Sequence, residues 1–414
     1  MKKILATAYA MNPFKGSEES LGWHFALQIA KFNTVVVVTR ANNKEAIDRY
    51  LPSHPELKHL CNRIEFIYFD WPRWMLFWKK GPYLSMIYFY AWQFSVALKM
   101  WKRRKEFDIV HNLTFHNDWT PSFLWLLGKP MVWGPIGHHP KIPKAFIVNP
   151  YGRFPWIKDR MIWMTKKMFW RCDAFLKITR QKAAVIIVTN SEVKEALKSY
   201  KNKLLVMPNV ASSRNQSIKN GNAAHKFIIL SVGRFVPLKG FDIVIRSFSY
   251  AYHHHFSEQQ KSTAQLVLIG KGGQENFLKD LAKRENISDA VKFISWLPKE
   301  EVTRYYEGAS VFFFPSHEGS GTVVTEAMSY GLPVLCFDTS GPGELVHPES
   351  LLKVPYSSYQ SSVQNFAEKL YRLNEHPSFR EKEARLSLQR FDNYLDWELR
   401  GEILNTIYNS ILVA

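Results

Sequence analysis

Residues 311–334, VFFFPSHEGSGTVVTEAMSYGLPV, constrain the fold of this chain more than any other stretch. The apolar run 311–314 reads as a buried parallel strand and 315–321 as a polar loop. A helix over 322–330 then stops at Gly331 and Pro333, and a strand resumes. Strand, loop, helix and strand in that order form the unit of a doubly wound α/β sheet. Its loop turns backbone N–H groups and the positive end of a helix dipole into one crevice, which suits a phosphorylated ligand. Glu318 on the loop and Glu326 in the helix fall a little over two helical turns apart, so both can face that crevice if the loop wraps back. Either Glu taken alone reads as a solvated surface residue; the string around them decides otherwise.

Pro315-Ser316, Glu318-Gly319, Thr325-Glu326-Ala327-Met328 and Gly331-Leu332-Pro333-Val334 resemble the signature of family-four retaining glycosyltransferases of the GT-B fold, the glycosyltransferases of group 1. The resemblance implies two Rossmann-like, doubly wound α/β domains facing a cleft. It also implies that Glu318 lies at a donor sugar, that Gly319, Ser320, Gly321 and Thr322 border the sugar at the loop and helix start, and that Glu326 binds the ribose. Upstream, Gly233-Arg234-Phe235-Val236-Pro237-Leu238-Lys239-Gly240 follows a strand over 227–233 and precedes a helix over 241–250. In the family this Arg and Lys clamp the donor diphosphate. Departure of a nucleoside diphosphate builds negative charge, and two fixed cations, Arg234 and Lys239, stabilise it without a metal. Gly270 opens a glycine turn, Gly270-Lys271-Gly272-Gly273, similar to the one along which the family's nucleotide approaches. No Ser or Thr follows Lys271, so the turn is not a P-loop. Residues 291–298 and 341–346 complete the pattern.

With 414 residues and 46% hydrophobic content the chain is long enough for two cores. The expected boundaries are 1–210 for an acceptor-side domain, 211–390 for the nucleotide-sugar domain and 391–414 for a helix returning to the first, with linker composition over 211–225. A net charge of +19 favours anionic partners of any kind. Three scattered cysteines, Cys61, Cys172 and Cys336, show no metal-ligand spacing and fit a reducing compartment. The opening MKKILATAYAMNP reads as a first strand rather than a leader, and nowhere do about 18 apolar residues run without interruption. The expected location is cytoplasmic, peripheral on the inner face of the membrane.

In the first half, a strand over 4–10, a loop over 11–20 and a helix from Leu21 form the opening unit. Gly16 stands where a diphosphate must approach the backbone, and Lys15-Gly16-Ser17-Glu18 with Gly22-Trp23 resembles the first loop of a subset of the family. Ser17 and Glu18 are therefore substrate-binding candidates. The strand over 107–111 is followed by a loop over 112–119. Many family members carry a sugar-contacting His two residues after the position of His111, where this chain has Leu113. Thr114, His116, His138 and His139 are the candidate substitutes, the last two aimed by a loop turned at Gly134 and Gly137. Asn190-Ser191 caps a helix from Glu192. Two segments, 71–105 and 154–177, interleave aromatic residues with Lys and Arg, as interfacial helices on anionic lipid do. The alternative is that these helices only cover the sheet and bury their rings; the membrane reading is preferred, because both segments fall in the half that faces the acceptor in the family the chain resembles.

These observations converge on a retaining, metal-independent glycosyltransferase, a hexosyltransferase in type. The resemblance implies a UDP- or GDP-type sugar as donor, a substrate rather than a cofactor, and a lipid-linked or polysaccharide glycan as acceptor. No nucleophile stands out on the sugar's far face, so front-side displacement fits better than a covalent intermediate. Two alternatives remain: a sugar phosphorylase or sugar-nucleotide epimerase on the same fold, and a basic membrane- or nucleic-acid-binding protein on an inactive scaffold. The intact Arg234, Lys239, Glu318 and Glu326 set argues against the second, and no nucleic-acid partner is expected. Base, sugar and acceptor depend on pocket shape, which spacing does not encode.

Overall fold

A computed structural model describes residues 1–138, 140–215 and 226–413; His139 and most of the expected linker, 216–225, lie outside the described residues. The chain divides into two compact units, one formed by Met1–His138, Met164–Asn209 and Trp397–Ala414, the other by His139–Trp163 and Val210–Asp396.

The first unit holds seven parallel strands: β1 (Lys3–Ala8), β2 (Thr34–Thr39), β3 (Ile64–Tyr68), β4 (Ile109–Thr114), β5 (Met131–Ile136), β6 (Val185–Val188) and β7 (Leu204–Val206), in the order β3-β2-β1-β4-β5-β6-β7. The second holds β8 (Phe227–Val232), β9 (Ala264–Ile269), β10 (Val291–Ile294), β11 (Val311–Phe314), β12 (Val334–Phe337) and β13 (Lys353–Val354), in the order β10-β9-β8-β11-β12-β13. Both sheets reverse direction of growth beside their first strand, which makes each a Rossmann-like sheet with its switch point between first and fourth strands. Runs such as TVVVVT in β2 and VFFF in β11 are continuous because helices cover both faces of a parallel sheet.

The helix Ser17–Phe32 begins four residues before the Leu21 expected from the apolar pattern. Glu18 and Glu19 in its first turn and Lys31 in its last complement the helix dipole, so the polar opening residues extend the helix rather than form a loop. The helix Trp397–Val413 packs in the same unit: Trp397 stacks on His24 at 5.0 Å and meets Phe25 edge-on at 5.1 Å. β4 likewise runs past the expected end at His111 to Thr114, because Asn112 finds Thr7 Oγ1 at 3.0 Å inside the sheet. Gly134 was expected in a loop and lies within β5 instead. A Cβ there would stand 2.2 Å from the Ile187 carbonyl oxygen, so glycine lets β5 and β6 approach.

Segment 71–105 also departs from a purely interfacial role. Tyr88, Phe89, Trp92, Val96 and Met100 on the helix Gly81–Met100 are buried in the first unit's core. Covering the sheet accounts for that face, each large side chain contributing roughly 1.5–3 kcal/mol by burial. Trp74, Phe77, Ile87, Phe94, Leu98 and Trp101 remain exposed. In the second unit Phe146, on the helix Ala145–Tyr151, packs against the rings of His317, Phe337, Tyr356 and Tyr359, and Tyr151 donates to Asp242 at 2.6 Å.

Candidate functional site

Four loops leave the carboxyl ends of β8, β9, β11 and β12, and their backbones lock together. Gly233 N–H donates to the Ile269 carbonyl at 3.0 Å, Phe235 N–H to Lys271 at 3.1 Å, and His317 N–H to Leu238 at 2.9 Å. The approach is close enough to exclude side chains at two crossings. A Cβ on Gly270 would lie 1.9 Å from the Gly233 oxygen, and one on Gly341 would lie 1.9 Å from the Glu318 oxygen. Sequence reasoning placed Gly233, Gly270 and the Glu318 loop at one site, and the structure brings them together at the carboxyl edge of this sheet.

The same loops set the charges. Lys239 ends a short 3-10 turn, Pro237–Lys239, that Gly240 closes at φ 68. Its Nζ reaches Glu318 Oε2 at 2.6 Å while standing 5.0 Å from the Phe314 ring centre. Both side chains are mostly buried, so the pair is held in a partly desolvated position where its field is less screened. Arg234 lies on the same loop and is exposed, with no ion pair among the described residues. The helix Thr322–Ser329 starts after Gly321 and has no side-chain cap, so its first amides rely on other partners. Gly319 and Ser320 sit half-buried on the loop before it. Glu326 accepts a bond from Tyr306 OH at 3.2 Å.

Three residues of this edge escaped the sequence. Tyr306 orients Glu326 from the helix Lys299–Gly308, and burial and the Glu326 charge push its hydroxyl well above the ordinary tyrosine range. His317, between Ser316 and Glu318, is buried, bonded at Nδ1 to Tyr356 OH at 2.6 Å, and pushed by burial down to about 3. Asp242 is buried between the Tyr151 and Tyr359 hydroxyls, and desolvation raises its pKa. Adjacency to Glu318 was a signal for His317. Tyr306 and Asp242 had none, because their partners are distant in sequence.

The first unit gathers the other candidates at the carboxyl edge of its own sheet. Gly16 is the N-cap of the helix Ser17–Phe32, in extended backbone with nothing within 4 Å of a Cβ built on it, so the fold itself does not require glycine there. Glu18 Oε1 accepts from His116 N–H at 3.2 Å, and burial lifts its carboxyl to about 7 despite the Lys166 charge. His116 Nδ1 donates to the Pro135 carbonyl at 2.8 Å, and burial lowers its pKa to about 4. His138 Nδ1 meets Asp118 Oδ2 at 2.8 Å, and that carboxylate raises the imidazole's pKa. Thr114 closes β4 and accepts from Ala10 N–H at 3.3 Å. His111 is bound inside the core, to Tyr408 OH at 2.6 Å and the Gly134 carbonyl at 2.7 Å.

Comparison with known proteins agrees with this architecture. Residues 212–387 match the family described as Glycosyl transferases group 1. An uncharacterized glycosyltransferase of Haemophilus influenzae is 35% identical over 164 residues, covering 38% of this chain and 42% of the relative. A GDP-mannose-dependent monoacylated alpha-(1-6)-phosphatidylinositol monomannoside mannosyltransferase of Corynebacterium glutamicum is 28% identical over 191 residues, 44% of this chain and 47% of the relative. The chain thus spans less than half the length of these curated relatives. Among solved structures, Anabaena Alr3699/HepE in complex with UDP superposes with a TM-score of 0.62, covering 99% of this chain and 100% of that one at 15% identity, a likeness of fold alone. The chain has the GT-B fold, and residues 212–387 of its second unit match the group 1 glycosyltransferases.

Proposed function

We propose that this protein is a retaining glycosyltransferase that moves a sugar from a nucleotide diphosphate sugar to a lipid-linked or polysaccharide acceptor. The observation that carries the reading is the Lys239–Glu318 pair at 2.6 Å, on interlocked loops at the sheet's switch point. A donor entering there exchanges one strong contact for two: the diphosphate takes the Lys239 ammonium and the sugar hydroxyls take the Glu318 carboxylate. Arg234 adds a second cation as the nucleoside diphosphate departs. Glu326, held by Tyr306, faces the ribose hydroxyls, and the amides around Gly319–Gly321 border the sugar. The leaving phosphate takes the acceptor's proton, with no covalent intermediate and no metal. UDP in the Anabaena structure and GDP-mannose in the Corynebacterium relative bracket the donor chemistry.

The acceptor side is membrane-associated in this reading. On the helix Arg153–Cys172, Phe154, Ile157, Met161, Met164 and Met168 are exposed at spacings of three and four, with Lys158, Lys166, Lys167 and Arg171 along the same helix. No helix among the described residues is long and apolar enough to cross a membrane. A thermal-shift screen of UDP- and GDP-sugars, followed by product analysis with lipid-linked acceptors, tests the reaction. No stabilisation by any nucleotide sugar rejects it. Replacing Met164 and Met168 by Asp lowers retention on anionic vesicles; unchanged retention rejects the membrane role.

A further inference from the structure

The helix Gly81–Met100 is apolar on both of its faces. Residues 81–98 carry no Asp, Glu, Lys or Arg, in a chain whose net charge is +19. The inner face, with Tyr88, Trp92, Val96 and Met100, is buried in the first unit's core. Along the outer face Leu84, Ile87, Ala91, Phe94, Leu98 and the C-cap residue Trp101 recur at alternating spacings of three and four, the 3.5-residue repeat of a coiled-coil seam. Ala91 is half-buried, and the other five are 37–58% exposed. A helix that is hydrophobic all round is covered all round in a stable assembly, so this seam calls for a partner.

A second copy of this chain fits the seam better than lipid does. An interfacial helix rests on anionic lipid through Lys and Arg on a polar face, and this helix has no polar face. The cations at its ends are engaged within the protein. Lys79 Nζ lies 4.3 Å from the Tyr88 ring centre and Lys99 Nζ 5.0 Å from that of Phe69, while Arg103 is bonded to Glu65 and Glu106 at 2.5–2.9 Å. Two strongly basic chains repel each other least where charge is lacking, which is along this seam. The repeat is also self-complementary. About a two-fold axis the helix meets itself antiparallel, so that Leu84 faces Trp101, Ile87 faces Leu98, and the small Ala91 leaves a hole for the Phe94 ring. Phe175 adjoins the seam through Phe123, whose ring centre is 5.2 Å from those of Phe94 and Phe175, and the exposed Trp74 and Phe77 precede the helix. Together these side chains offer on the order of 800 Å² per copy, about what one partner contributes to a stable complex.

We propose that the outer face of the helix Gly81–Met100 is a homodimer interface, in which two copies pack antiparallel about a point between Ala91 and Phe94. The interface stands independently of the reaction the protein performs. It also has its own salt signature: screening the repulsion between two basic chains tightens the dimer, whereas the same salt weakens attachment to anionic lipid.

Sedimentation velocity of the full chain over about 1–100 μM, at low and at high salt, tests the interface. The wild type is expected to dimerise in that range and to do so more tightly at high salt. Phe94→Asp and Leu98→Asp, both at exposed positions, each raise the dissociation constant by roughly thirty-fold or more, as a charge set into the middle of an interface does. Their melting temperatures stay at the wild-type value, which separates lost pairing from lost folding. Ile87→Cys combined with Leu98→Cys links two copies on oxidation, and Ile87→Cys alone, which retains the exposed Cys172, is the control. A monomer throughout the range, a dimer that both aspartate variants leave intact, or a dimer that salt loosens overturns the interface. Phosphatidylcholine vesicles doped with phosphatidylglycerol supply the other arm: if Phe94→Asp lowers retention on them without changing association, lipid covers this face and the dimer is rejected. A dimer that the aspartates break but the cysteine pair fails to link overturns the antiparallel pairing.

Discussion

In the second unit the functional edge is built from charges in contact, Lys239 on Glu318 at 2.6 Å with Arg234 exposed beside them. In the first, the matching edge of an identically wound sheet is built from desolvated groups: Glu18 lifted to about 7, His116 lowered to about 4, and a His138–Asp118 pair. One winding thus supports two kinds of electrostatics. Fixed charges in contact act without reorganisation, whereas buried neutral groups draw their strength from the exclusion of water. Strand order decides where the edge lies, and loop residues decide what it binds.

The widest separation between the edges is expected in catalysis. Lys239→Ala or Glu318→Ala lowers transfer by about 10²–10³-fold, and because each leaves a mostly buried charge without its partner, unfolding is also eased, by about 1–3 kcal/mol. Turnover with the identified nucleotide sugar and thermal melts measure both, and retained transfer would remove the charged edge from the chemistry. Next comes Gly270→Ala, which forces a Cβ to within 1.9 Å of a backbone oxygen and costs ~3 kcal/mol in urea unfolding. Its counterpart Gly16→Ala, with open space around the new Cβ, changes stability by no more than about 1 kcal/mol. Similar losses at both positions would mean that the first edge is as tightly interlocked as the second.

A third difference is in pH. Glu18 binds its proton more tightly folded than unfolded, so stability falls as pH rises from its ordinary value of 4.5 through about 7. Glu18→Gln therefore gains up to roughly 3 kcal/mol over the wild type above pH 7 and nothing below pH 4. A pH-independent difference between the two proteins contradicts burial of a neutral Glu18. His116 has the opposite sign: its folded value is depressed to about 4, so its contribution is complete above the unfolded value of 6.5 and is lost as pH falls toward 4. The smallest effect is expected for Tyr408→Phe, which takes one partner from the buried His111 and costs about 1 kcal/mol. Differential melts resolve it, and no change would mean that the Gly134 carbonyl alone satisfies that ring.

The second edge was readable because its residues are clustered in sequence: Gly233 to Gly240, Gly270 to Gly273, and the string around Glu318. The first was not. Asp118 is a short loop residue, a type that occurs everywhere. Only the packing of β4 and β5 sets it beside His138. The helix starting at Ser17 rather than Leu21 shows the same limit on a small scale, since capping and dipole terms extend helices into polar sequence that periodicity assigns to loops. Trp92 illustrates the converse: an aromatic run with flanking cations reads alike whether its rings face lipid or a sheet, and here that ring faces the sheet.

Continuous apolar runs, glycines at strand ends and cations placed just after them are local properties. They were enough to dictate two parallel sheets and to gather Lys239, Glu318 and the glycine turns at one edge of the second, because strand burial and helix-dipole chemistry act within a few residues. Which imidazole of the first unit is neutral and which charged depends on desolvation by residues a hundred positions away. That balance exists only once the strands have come together.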